Sequence, residues 1–154
     1  MKRRNTILAV VTSVGFALTL PVPLSAQLKA PDDVKTALRL LVQVSNDFKR
    51  QISNGNFARL PHEYMEYTEA ADALRSAIKD EPADFKTKVE TKLKAAVTAA
   101  QKVSDMSAKA TDGDKLMAEQ AKAVTAMNAV FDLFPADLRP DPNAAPPGRG
   151  RRSN

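Results

Sequence analysis

Between Leu60 and Ile78 the apolar side chains fall at Leu60, Tyr64, Tyr67, Ala71, Leu74 and Ile78, alternating steps of four and three residues without a break. An α-helix turns once every 3.6 residues, so this spacing stacks all six on one narrow face, whereas a strand would divide them between two. Such a seam is stable only when neighbouring helices cover it at a shallow crossing angle. Pro61 suits the first turn, where its missing N–H costs nothing.

The same period recurs on both sides, and no alternating strand pattern survives inspection. A first helix is expected to begin near Asp32 or Asp33, where a carboxylate just after Pro31 can accept free N–H groups and suits the positive end of the helix dipole. It stops before Gly55 and buries Val34, Leu38, Leu41, Val44 or Ser45, Phe48 and Ile52. Asp80, Glu81 and Pro82 interrupt the chain and restart it. A third helix follows from about Pro82 to Ala108, with Phe85, Val89, Leu93, Ala96, Ala100 and Val103 as its seam and Val97 beside it. Thr111, Asp112, Gly113 and Asp114 form a turn and cap. A fourth helix from about Asp114 to Phe134 is expected to bury Met117, Ala121, Val124, Met127, Phe131 and Phe134 before Pro135 ends it. The expectation is an all-α chain, an antiparallel up-down-up-down four-helix bundle over residues 31–138, with Leu138 folding back on its end. Alanine at Ala70, Ala71, Ala96, Ala100 and Ala121 lets helix axes approach closely but buries less area than leucine, so ordinary stability is expected.

The two ends are of different composition. Lys2, Arg3 and Arg4, the uncharged stretch Ile7 to Leu20, and the exit from Pro21 to Ala26 read as a secretory signal over residues 1–26, cleaved before Gln27. The apolar stretch is shorter than the roughly 20 residues of a spanning helix. No second such run follows, so the processed chain is expected to have no transmembrane span and to work in the periplasm or outside the cell. Residues 139–154, with Pro140, Pro142, Pro146, Pro147, Gly148 and Gly150 among the arginines, read as a disordered tail.

Loss of the leader lowers the formal net charge from +5 to +2, and between Pro31 and Pro135 there are 15 basic and 16 acidic residues. A neutral body lacks the clustered basic face that phosphate neutralisation needs, which sets nucleic acid aside. The absence of Cys excludes disulfides, thiolate catalysis, zinc fingers, iron–sulfur clusters, c-type haem attachment and a lipoprotein anchor.

An exported bundle of about this size resembles the cytochrome b562 and cytochrome c′ type, over Pro31 to Phe134 and in architecture. The resemblance implies a periplasmic bundle. Its haem ligands do not carry over. The c′ type attaches haem through Cys-x-x-Cys-His in the last helix, and Ala121 to Phe134 holds neither Cys nor His; the b562 type uses Met in the first helix and His in the last, and neither is present.

The single imidazole, His62, stands four and seven residues before Glu66 and Glu69, so the three can face one way as candidate ligands of a divalent metal. The competing reading is an exposed acidic first turn beside a histidine, which needs no ligand. Met65, Met106, Met117 and Met127 are candidate copper thioethers, better read as core fillers. Non-covalent haem would need His62 and a methionine from another helix, with Tyr64, Tyr67, Phe131 and Phe134 as lining. No Gly-x-Ser-x-Gly turn, Gly-rich phosphate loop or second His supports catalysis, so no enzyme is expected. What remains is a non-enzymatic exported bundle acting by protein or envelope interaction, as monomer or homodimer, with a small-ligand carrier of haem or a divalent metal as the alternative. Arg149 to Arg152 would then suit anionic lipid or an acidic partner.

Overall fold

A computed structural model describes residues 28–110 and 112–141; the expected leader and the chain from residue 142 lie outside the described residues. Four helices account for most of the described residues: α1 (Pro31–Ser53), α2 (Leu60–Ala77), α3 (Ala83–Ser107) and α4 (Gly113–Phe131). A 3-10 turn over Phe57–Arg59 leads into α2, and there is no strand among the described residues.

Local chemistry sets the ends. Pro31 opens α1, and Asp32 and Asp33 sit inside its first turn without a side-chain capping bond, so their carboxylates act on the helix dipole and not as the expected cap. The helix ends where Gly55 takes φ +71°, a left-handed conformation that a side chain disfavours, and the Asn56 N–H then donates to the Gln51 carbonyl at 2.9 Å. Pro82 precedes α3 as an extended residue, and Asp84 makes no capping bond there either. At α4 the expected cap is present: the Asp114 N–H donates to Asp112 Oδ1 at 2.9 Å.

One apolar cluster runs through all four helices, and the main contacts join α1 to α2 and α4, and α3 to α2 and α4. Val34, Leu38, Leu41, Phe48 and Ile52 of α1 are buried as the spacing predicts, with Val44 and Ser45 both inside. So are Leu60, Tyr67, Ala71 and Leu74 of α2, and Val89, Leu93, Ala96, Ala100 and Val103 of α3. Tyr64 and Phe85 are only partly buried. Two edge-to-face ring pairs bridge elements, Phe48 with Tyr67 at 6.4 Å and Phe85 with Phe134 at 5.6 Å between centroids.

The first half of the fourth helix departs from its predicted face. Met127, Phe131 and, just beyond α4, Phe134 are buried as predicted, but they share the inside with Leu116, Gln120, Ala123 and Val130, while Ala121 is exposed and Met117 and Val124 are half-buried. The reason is Gln120. Its Nε2 donates to the Ser45 carbonyl and to Ser45 Oγ, each at 3.1 Å, so a polar residue occupies a core position and breaks the apolar stripe that a reader of spacing follows.

Chain segments outside the helices complete the core. Leu28, before α1, and Leu138, after α4, are both buried in the cluster, the latter as expected. The Lys29 N–H donates to Glu81 Oε1 at 2.6 Å, tying the start of α1 to the turn between α2 and α3. Arg139, grouped with the tail by its composition, donates from Nε to the Phe134 carbonyl at 2.7 Å and from Nη2 to the Asp132 carbonyl at 3.2 Å. It thereby satisfies carbonyls left free where α4 ends.

Candidate functional site

Three carboxylates converge where α1 packs against α2. Asp47 lies next to core residue Phe48, and Glu63 and Glu66 lie three residues apart on α2, so the two helices bring their oxygens within 4.8 Å of one another. Asp47 and Glu63 are buried, with 8% and 3% of their surface exposed, and Glu66 is half-buried. Each is held by a neighbour. Arg50 Nη2 pairs with Asp47 Oδ1 at 2.6 Å, Gln51 Nε2 donates to Glu63 Oε1 at 3.1 Å, and His62 Nε2 lies 3.2 Å from Glu66 Oε1. Asn56 Nδ2 in turn donates to Gln51 Oε1 at 3.3 Å, fixing the amide that fixes Glu63.

Up to three negative charges in that volume, with one guanidinium beside them, form a hard-oxygen donor set of the kind that suits a divalent cation. Of the predicted trio His62, Glu66 and Glu69, the first two are in contact and Glu69 stays exposed outside the cluster. The residues that spacing did not single out are Asp47 and Glu63. Glu63 is three residues on from Leu60 and so falls at the edge of the seam, a signal present in the sequence. Asp47 joins it only through the α1–α2 register.

The side chains present do not fit a haem of the b562 kind. The only imidazole is half-exposed on α2 and engaged with Glu66, while the one buried methionine among the described residues, Met127, is on α4 within the apolar cluster. Tyr67 packs edge-on against Phe48, and Phe134 against Phe85, so those rings are filling the core.

Between α3 and α4 the surface has a different character. A shallow groove of about 380 Å³ is floored by Ala95, Ala126 and Ala129 beside Thr125, and flanked by Lys92 and Lys122 with no acidic residue lining it. Nearer the α3–α4 turn a second groove, of about 410 Å³, carries Lys102, Lys109 and Lys115 with Asp105 and Asp112. Glu119 bridges the two regions, accepting from Lys102 Nζ at 2.8 Å and Lys122 Nζ at 2.9 Å. These two ammonium groups hold its carboxyl below the usual carboxylate range.

Comparison of the chain with protein-family models, with curated proteins and with solved structures gives no match, so the functional reading rests on the geometry above.

Proposed function

We propose that this chain is an exported, non-enzymatic helical bundle that works by contact with an envelope partner of acidic surface. The observation that carries the reading is the α3–α4 groove, an alanine floor that accepts an apolar ridge, with Lys92 at its margin forming no ion pair among the described residues and so matching negative charge. The basic n-region and apolar stretch at the N-terminus support export, removal of residues 1–26 and a periplasmic site of action. An up-down-up-down antiparallel arrangement is supported by pairs that join the end of one helix to the start of the next: Gln51 with Glu63, and Lys102 with Glu119. The Arg-rich end of the chain adds to the same attraction for anionic surfaces.

The test expresses the chain with its own leader in a Gram-negative host and measures fraction and intact mass, with a photo-crosslinking residue at Ala95. Processing before Gln27, recovery in the periplasm and a crosslink to an envelope protein or anionic lipid that is lost in K92E are expected. An unprocessed cytosolic product, or a crosslink indifferent to K92E, overturns the reading.

The convergence of Asp47, Glu63 and Glu66 favours a second reading, carriage of a divalent metal. Under it, calcium, manganese or zinc raises the unfolding temperature of the parent and not of E63Q; no shift with any of the three removes it.

A further inference from the structure

A larger groove, of about 600 Å³, opens between α1 and α2. Its floor is Ala37, Ala73 and Ala77, and beside it Leu40 is 39% exposed although Leu38 and Leu41 are fully buried. Four charged residues rim the groove, Lys29, Asp33, Lys79 and Asp80. None of their side chains forms an ion pair among the described residues, so all four charges are available to a partner. An apolar knob beside a floor of small residues, within a rim of unspent charge, has the composition of an interface.

We propose that this groove docks on the same groove of a second copy, Leu40 of each copy seating on the alanine floor of the other. Charge decides the occupant. A two-fold interface sets each patch against itself, so residue i meets j and j meets i. A rim of two lysines and two aspartates can satisfy that operation with every lysine facing an aspartate, and its net charge of zero presents no like-charge barrier. The α3–α4 groove, with Lys92 at its margin and no acidic residue lining it, offers a second copy no opposite charge to pair with. Small side chains at Ala37, Ala73 and Ala77 let a facing helix approach closely. The groove is smaller than one side of a standard interface, so a weak, concentration-dependent dimer is expected. The inference depends neither on export nor on the α3–α4 partner.

Sedimentation velocity on the purified chain over about 1 to 500 µM is expected to show a monomer–dimer equilibrium. L40E abolishes it, and M65E, at the other large exposed hydrophobic residue, leaves it unchanged. The decisive pair is a chain with Lys29 and Lys79 changed to Asp and a chain with Asp33 and Asp80 changed to Lys. Each alone is expected to stay monomeric with a helical circular dichroism spectrum, and the two mixed are expected to form a heterodimer. A parent that stays monomeric throughout, an L40E chain that dimerises like the parent, or folded charge variants that fail to pair with one another overturns the proposal. The α3–α4 crosslink is read separately in L40E, and its persistence there keeps the two surfaces distinguishable.

Discussion

Two buried polar atoms lack a partner among the described residues, the Tyr67 hydroxyl and Gln120 Oε1. They differ in what they cost. Gln120 recovers two hydrogen bonds to Ser45 through its other amide atom, but Tyr67 has only one polar group and burial pushes its pKa up. Removing an unsatisfied hydroxyl while keeping the ring against Phe48 relieves a desolvation penalty, so Y67F is expected to be as stable as the parent or more stable by about 1 kcal/mol. Urea unfolding followed by circular dichroism measures it, and a loss of that size would show that the hydroxyl is satisfied after all. Glu119 behaves in the opposite way, because its partners favour the charged form. A carboxyl whose folded pKa is depressed contributes stability that is present above its unfolded value of about 4.3 and is lost as pH falls through the folded value. E119Q is therefore expected to melt below the parent at neutral pH. The difference should close as both are acidified past the folded pKa, as read from melting curves at a series of pH values.

At the scale of the element, α4 offers the sharpest contrast between what periodicity reveals and what packing decides. Met117, Ala121 and Val124 form a stripe with the same steps of four and three as Leu116, Gln120 and Ala123, one residue out of register. The first is wholly apolar and the second contains a glutamine, so composition favours the wrong face; only the meeting with Ser45 of α1, across 75 residues of chain, selects the right one. The seams of α1 and α3 were legible because apolar residues hold nearly every seam position, and the one serine inside the α1 seam, Ser45, is flanked by Leu41 and Phe48. The candidate site divides along the same line. His62 and Glu66 are one helical turn apart and can be paired from spacing, whereas Asp47 and Glu63 meet only through the register between two helices, which no local pattern encodes. A lysine scan separates the two faces of α4. A121K, on the exposed side, is expected to change stability by less than about 0.5 kcal/mol, and A123K, at a buried position, to lower it by about 2 kcal/mol or more. A larger loss for A121K than for A123K in urea unfolding would return the helix to the orientation expected from its spacing, and equal losses would contradict the burial of Ala123 alone.

For the molecule as a whole, four amphipathic helices leave an apolar cluster that must be closed where their ends meet loops, and the segments before α1 and after α4 help to close it. Leu28 and Leu138 are buried as thoroughly as many helix residues, and Glu81 and Arg139 bond to backbone atoms beyond their own elements. These contacts were only partly legible. Leu138 could be expected to fold back as an isolated apolar residue after a proline, but the bond from Lys29 to Glu81 spans 52 residues and the role of Arg139 depends on where α4 stops. The folded unit therefore extends beyond the last helix. A chain ending at Asp141 keeps Leu138 and the Arg139 bonds, and is expected to unfold in urea at the same midpoint as the full-length protein. A chain ending at Pro135 exposes the surface that Leu138 covers and frees the Phe134 and Asp132 carbonyls. Burial of a leucine contributes about 1.5 to 3 kcal/mol, so the shorter chain is expected to lose at least about 2 kcal/mol once the lost bonds are included. L138A in the full-length chain isolates the packing part and R139A the bonding part. If the two residues act as separate clamps on the end of α4, their losses add up to that of the truncation; a truncated chain as stable as the parent would show instead that the bundle closes without them.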